Sequence, residues 1–193
     1  MTFDFELDRT SLLVSCSVDV SIATLEKRLH HEGLTLGYRP AKARGLTLRR
    51  ALARRVSNRD ALLYGEVDDL CVSIQAIRKG ETIVTRNVPR AATGPDFKKL
   101  LAASDGRHAK LVKAVLKVHA LPEARRTFRL SWKDKKGRDA FLRAFWSSGI
   151  RPARFAAFAR TANVTLAATK EMVAAEERCL RKLCHETNGR IQK

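Results

Sequence analysis

The chain has 193 residues, 45% of them hydrophobic, so it can form one domain or two small ones and is too apolar to be disordered. Its formal net charge is +18, from 38 basic and 20 acidic residues, an excess that attracts polyanions but is not required for folding. No apolar run reaches the length of a membrane helix, and the acidic N-terminus argues against a secretory signal or mitochondrial presequence, so we expect a cytoplasmic protein.

The apolar spacing of the first two thirds predicts a mixed sheet over residues 10–120 with helices packed against it. Period-two runs indicate strands, and apolar residues three or four apart indicate helices. The predicted elements are a strand at 12–20, a helix at 21–29 capped by Ser21 and ended by Gly33, a helix at 48–56 capped by Thr47 with Arg50 and Arg54 outward, a hairpin of 70–77 and 81–86 turning at Gly80, a short helix at 95–101 and a strand at 111–119.

The remainder follows a second pattern after a domain boundary predicted at Pro122. Strands are predicted at 126–132, 153–159 and 163–169, and helices at 134–148 and 171–187. This β-α-β-β-α order is a ferredoxin-like half-sandwich that lacks its last strand. Trp132 and Trp146 bracket the first of these helices and are expected in its core. We therefore expect an α+β fold in two domains, residues 1–122 and 123–193.

The basic residues are unevenly placed along the chain. Residues 39–59 contain eight basic residues and no acidic one. The arginines have no interleaved aromatic residues and match no nucleic-acid motif. Two interpretations stay open: a solvated surface in a chain that favours arginine, and a surface that binds polyanions.

Several short motifs occur in a fixed order, and each is weak alone. They are LEKRLHHEG at 25–33, Tyr64-Gly65 followed by Asp69, TGPDF at 93–97, SDG at 104–106 and HALPE at 119–123. Their order and spacing resemble the second half of the FAD-binding domain of the vanillyl-alcohol-oxidase / glycolate-oxidase flavoproteins, the FAD-linked oxidases. The resemblance covers nearly the whole chain. It implies a second FAD-type mixed α/β subdomain followed by a partial ferredoxin-like cap domain.

The resemblance implies FAD as the cofactor, and it implies six cofactor neighbours. These are Tyr64, Gly65, Asp69, Ser104, Gly106 and the backbone around Leu111. The same residues are also expected if only the fold is kept, because glycine turns and an aspartate cap serve folding without any ligand.

The family has a double glycine against the FAD pyrophosphate where this sequence has Arg49 and Arg50. Only glycine allows such a close backbone approach, so the arginines disfavour an enclosed FAD. They favour a shallow site for phosphate, sulfate or a polyanion at the start of a helix, formed by Arg49, Arg50 and Arg54.

Catalytic residues stay unassigned. There is no Ser/His/Asp order and no phosphate loop, the four cysteines have no CxxC spacing, and no metal or membrane binding is expected. The chain starts too late for the first half of the FAD domain. We therefore expect a shortened, catalytically degenerate oxidoreductase homologue, with the missing half supplied by self-association or a protein partner. The alternative is a non-enzymatic basic protein that binds nucleic acid or another polyanionic partner.

Overall fold

The computed structural model describes residues 4–86, 97–103 and 106–192, and the chain divides into two compact units. Unit 1 consists of residues 1–59 and 64–121, and unit 2 of residues 60–63 and 122–193. Residues 60–63 therefore belong to unit 2, although their neighbours in sequence on both sides belong to unit 1. Within the described residues, no helix is both long enough and apolar enough to cross a membrane.

Unit 1 combines a five-stranded sheet with several helices. Its elements, together with α3 that ends at the unit boundary, are β1 (Phe5–Asp8), β2 (Leu13–Ser17), α1 (Ile22–His31), β3 (Leu34–Thr35), α2 (Leu48–Arg54), α3 (Ala61–Tyr64), α4 (Val67–Leu70), β4 (Cys71–Arg78), β5 (Glu81–Val84), α5 (Phe97–Ala103), β6 (Lys110–Lys117) and β7 (His119–Ala120). The sheet has the strand order β1-β2-β6-β4-β5, and β3 pairs separately with β7.

The sheet of unit 1 differs from the prediction in two respects. All four pairs of neighbouring strands are antiparallel, so the sheet is not mixed. It also begins earlier than residue 10, because β1 adds an edge strand in which Phe5 lies opposite Cys16. β1 is an edge strand that is half exposed, and the side chains on the solvent side of such a strand need not be apolar. Its acidic residues therefore made it hard to identify as a strand from the sequence.

The helix caps of unit 1 agree with the sequence. Ser21 accepts a hydrogen bond from the backbone N–H of Thr24 at 3.0 Å, as an N-cap residue does. Gly33 follows α1 with φ +71°, a backbone conformation that glycine adopts without strain. Leu25 and Leu29 on the inner face of α1 are fully buried. Each contributes about 1.5–3 kcal/mol relative to an exposed side chain.

Unit 2 forms a complete ferredoxin-like fold. Its elements after Pro122 are β8 (Ala124–Trp132), α6 (Lys135–Ser147), β9 (Arg154–Ala157), β10 (Thr161–Ala168), α7 (Lys170–Glu186) and β11 (Gly189–Gln192). The four strands lie in the order β11-β8-β10-β9, and all pairs are antiparallel. The prediction that the last strand is absent is wrong, because β11 pairs with β8. Four residues with one inward apolar side chain, Ile191, are too short to show a strand period.

One face of this sheet packs against α6 and α7. Phe128, Leu130 and Val164 from the strands share a core with Phe141 and Phe145 from α6. Trp132 is buried in this core, as expected. Trp146 is not, since 54% of it is exposed, and its ring contacts Phe145 and Phe155 from the surface.

Candidate functional site

The start of α2 carries Arg49 and Arg50, the two arginines that the resemblance aligns with the family's double glycine. Its first four backbone N–H groups all have partners inside the chain. Leu48 N–H donates to Val20 O at 2.9 Å, and Arg49 N–H donates to Val18 O at 2.7 Å. The next two N–H groups donate to the hydroxyl and carbonyl oxygens of Thr47. The free N–H groups on which the predicted anion site relied are therefore not available at this helix start.

The Arg49 side chain is also bonded within unit 1. Its Nε and Nη2 donate to the two carboxylate oxygens of Asp19, at 2.8 and 2.9 Å. This fork of hydrogen bonds holds the pKa of Asp19 below its usual range, and the charge of Lys110 acts in the same direction. Arg50 and Arg54 are exposed, and no hydrogen bond or ion pair of their side chains is found among the described residues. Of the three predicted anion-binding arginines, these two face solvent.

Asn58 organises the loops beside α2, and sequence reasoning missed it. Its side chain is buried and bonds three backbone groups in two separate segments. Nδ2 donates to Gly37 O at 3.1 Å and to Gly65 O at 2.7 Å, and Oδ1 accepts from Arg39 N–H at 2.9 Å. Its own N–H donates to a carboxylate oxygen of Glu66 at 2.7 Å. A loop asparagine carries no sequence signal for such a role, because its partners lie up to 21 residues away.

Tyr64 packs against the chain instead of facing an open space. A Cβ atom built on Gly37 would lie 2.2 Å from the Tyr64 ring, so the ring occupies the space that a side chain would need. The His119 ring lies on it with centroids 5.0 Å apart. Burial lowers the pKa of His119, and the charge of Lys117 adds to this effect. A neutral imidazole and a tyrosine ring therefore form a packed contact at this end of unit 1.

Gly65 and Asp69 both shape the start of α4. Gly65 has φ +86°, and a Cβ atom there would meet the Asp69 Cβ at 3.0 Å. Asp69 Oδ2 accepts a hydrogen bond from Glu66 N–H at 3.1 Å. These are the folding roles that the resemblance left open beside cofactor binding.

The remaining candidates lie around the loop before β6. Ser104 lies outside the described residues, as do residues 93–96 of the TGPDF motif. Leu111 is fully buried in the core, opposite Ala76 of β4. Gly106, with φ +85°, borders an open groove of about 370 Å³. The groove is lined by Ile77, Arg78, Lys79, Gly106, Arg107, His108, Ala109 and Lys110. Its lining is rich in cationic side chains, and the structure brings them together from two separate turns.

The described residues offer no cluster of side chains that could hold a metal ion. Within residues 4–86, 97–103 and 106–192, no group of three or more His, Cys, Asp or Glu side chains is placed to hold a metal ion. Cys16 and Cys71 are buried, and burial raises the pKa of the Cys16 thiol to about 12, so it stays protonated. The chemistry that the arrangement supports is binding of negative charge.

Comparison with known proteins gives relatives among FAD-linked enzymes. The chain is 32% identical over 118 residues to the alkyldihydroxyacetonephosphate synthase of Dictyostelium discoideum, covering 61% of this chain and 19% of that protein. It is 25% identical over 148 residues to the uncharacterized FAD-linked oxidoreductase YgcU of Escherichia coli K12, covering 76% of this chain and 31% of that protein. No protein-family model matches.

Solved structures show the same fold. A structure of alkyldihydroxyacetonephosphate synthase superimposes with a TM-score of 0.80 at 20% identity, covering 96% of this chain and 40% of that one. The chain spans 19% and 31% of the lengths of these two curated relatives. The resemblance to the FAD-linked oxidases, and with it the α+β fold, is confirmed.

Proposed function

We propose that this relative of FAD-linked enzymes keeps their fold as a binding protein or subunit and does not act as an oxidoreductase by itself. The observation that supports this most is the start of α2. Arg49 and Arg50 stand there in place of a double glycine, and the surrounding N–H groups are already bonded within the chain. A dinucleotide needs a bare backbone for close approach and free N–H donors for its phosphates.

The other residues implied for FAD do not restore the fit. Gly65 and Asp69 shape the start of α4, and Tyr64 is packed against Gly37. The residues that the structure describes therefore do not fit an enclosed FAD.

Flavin content of the purified full chain tests this proposal. We expect no bound flavin, and therefore no flavin absorbance bands at about 370 and 450 nm. Titration with FAD, followed by the change in flavin fluorescence, is expected to show no saturable binding. One flavin per chain after purification would overturn the proposal.

A pair of variants shows whether the arginines are the reason. Arg49→Gly/Arg50→Gly restores the glycines that close approach requires, whereas Arg54→Gly changes an exposed arginine in the last turn of the same helix. If only the double variant gains FAD binding, Arg49 and Arg50 are the residues that prevent FAD from binding to the parent chain. Equal results for both variants would place the cause in other residues.

A subunit role is supported by exposed apolar side chains in unit 1. Phe97 and Leu100 lie one turn apart on α5 and are each 59% exposed. Burial of such side chains in self-association or against a partner protein is favourable. Light scattering on the purified chain should give a mass above one protomer if it self-associates, and Phe97→Ser/Leu100→Ser should return it to a monomer. A monomeric chain would leave a different protein as the proposed partner.

The second candidate function is polyanion binding, and the exposed Arg50 and Arg54 favour it. Both lie in the stretch 39–59 that has eight basic residues and no acidic one. Elution from heparin measures it, and the salt concentration needed is expected to fall in Arg50→Gln/Arg54→Gln. Unchanged elution would place the polyanion site elsewhere.

A further inference from the structure

The face of the unit 2 sheet that lies opposite the core with α6 and α7 carries polar side chains at one end. We call its open end the polar face, defined by Arg129, Ser131, Thr161, Asn163, Arg190 and Gln192. Strand register places all six on the side of the sheet opposite the core with α6 and α7. Arg129, Arg190 and Gln192 are exposed, and the other three are partly exposed.

The two arginines of the polar face lie close to one another. Arg190 lies opposite Ser131, two residues from Arg129, so the arginines are diagonal neighbours on adjacent strands. Diagonal neighbours on one face are about 7–8 Å apart, within joint reach of guanidinium groups. Arg129 is also flanked by Gln192 on one side and by Asn163 on the other. Two guanidinium groups and two side-chain amide groups therefore lie next to one another on this part of the sheet.

No acidic residue compensates this charge. The outward positions of β8, β9, β10 and β11 contain no Asp or Glu. Among the described residues, neither Arg129 nor Arg190 has a hydrogen bond or ion pair of its side chain. At the other end of the same face the situation differs, because Arg125 and Arg154 both bind the buried carboxylate of Asp60. Of the two ends of this face, only the polar face has arginines without an acidic partner among the described residues.

An exposed aromatic ring borders the polar face. The N–H of Phe158 donates to Thr161 O at 2.8 Å across the turn between β9 and β10, which places the two residues opposite each other on one side of the sheet. Phe158 is 55% exposed. An exposed ring costs free energy in water and gains it when a flat group stacks on it.

We propose that the polar face binds a single strand of nucleic acid, with Arg129 and Arg190 on phosphates and Phe158 stacked on a base. Guanidinium groups bind phosphates through paired N–H donors, and the amides of Asn163 and Gln192 are suited to base edges. A sheet surface is a platform, whereas compact ligands are held in concave pockets. A duplex keeps its bases stacked and inaccessible to the ring. This inference is independent of the flavin proposal, since it uses residues of unit 2 alone.

Fluorescence anisotropy with the full chain tests the proposal. The probe is a labelled single strand of about 15 nucleotides, as RNA and as DNA, beside a duplex of the same length. Arg129→Gln/Arg190→Gln should weaken single-strand binding roughly tenfold and lower the salt slope by about 1.4. Phe158→Ala should weaken it by roughly tenfold as well. The matched control is Arg143→Gln/Arg178→Gln, which removes the same charge from exposed positions of α6 and α7.

The outcomes separate the proposal from its competitors. Selective loss in the polar-face variants, with the control near the parent, supports it. Equal losses in both double variants would show a general charge effect and overturn it, as would absence of binding by the parent at about 50 mM salt. Equal affinity for duplex, or displacement of the strand by micromolar inorganic phosphate, would assign the face to another anion. Far-UV circular dichroism verifies that each variant is folded.

Discussion

The two candidate sites, one in each unit, differ in whether their polar side chains have bonding partners within the chain. In unit 1, Arg49, which was predicted to bind an anion, is bonded to Asp19, and the buried Asn58 beside α2 is bonded to the loops around it. In unit 2, Arg129 and Arg190 lie on a sheet face without any acidic neighbour. A site whose donors and acceptors are mutually satisfied is a structural element, whereas uncompensated charge on an open face is available to a ligand.

The largest expected effect comes from the one carboxylate that unit 2 buries completely. Asp60 Oδ1 and Oδ2 each lie 2.9 Å from an Arg125 nitrogen, and Oδ1 lies 3.0 Å from Arg154. Asp60→Asn removes the charge that both arginines face, so we expect a loss of about 3 kcal/mol in the free energy of unfolding. Tryptophan fluorescence in a urea titration measures it, because both tryptophans, Trp132 and Trp146, lie in unit 2.

The control for Asp60 is Asp19→Asn in unit 1. The Asp19 side chain is 67% exposed, and exposed ion pairs contribute only about 0–1 kcal/mol. Similar losses in the two variants would mean that burial does not set the difference between the two carboxylates.

The packing of unit 1 is tested at Gly37. The Tyr64 ring occupies the position of a Cβ atom there, and φ is +64°, so Gly37→Ala should cost about 3 kcal/mol from overlap and backbone strain together. Gly33→Ala has a similar φ of +71° and empty space around the new methyl group, so about 1 kcal/mol is expected. Far-UV circular dichroism in urea compares them. Equal costs would show that Tyr64 yields to the methyl group.

A smaller effect is expected from His119 as a dependence of unit 1 stability on pH. Burial lowers its pKa in the folded chain below the value near 6.5 of an unfolded one, so the unfolded chain binds the proton more tightly. The stabilisation is complete above about pH 6.5 and is lost as the pH falls through the folded pKa. His119→Gln should remove this pH dependence, measured by urea unfolding between about pH 5 and 8. His31→Gln, at an exposed position of α1, should retain it.

The smallest effect on stability is expected on the polar face. Arg190→Gln removes one of two neighbouring like charges that have no acidic partner on the face, so the free energy of unfolding should change by less than about 0.5 kcal/mol. Tryptophan fluorescence in urea measures this change as well. A loss of unfolding free energy comparable to that of Asp60→Asn would show that Arg190 stabilises the fold. The arginines at the two ends of the sheet would then have the same role.

Local interactions made much of the fold predictable. Ser21 and Thr47 cap their helices, Gly33 and Gly80 take the positive φ angles expected of them, and the order of motifs indicated the resemblance to FAD-linked enzymes. Each of these features depends on residues a few positions apart, so the sequence contains the whole interaction. The short strands β1 and β11 were not predicted, because they form through pairing with neighbouring strands and their own residue pattern does not indicate a strand.

The amino-acid sequence was enough to predict α1, α2, α5, α6 and α7, the longer strands, the resemblance to FAD-linked enzymes and the excess of positive charge, whereas the one-turn helices α3 and α4 were not predicted. Which charged side chains pair with one another within the chain follows from the three-dimensional fold. Arg49 is bonded to a residue 30 positions away, and Asp60 to residues 65 and 94 positions away. Arg129 and Arg190 become neighbours only through the pairing of β8 with β11. Electrostatic and hydrogen-bond energies depend on distance and burial in space, and separation along the chain specifies neither.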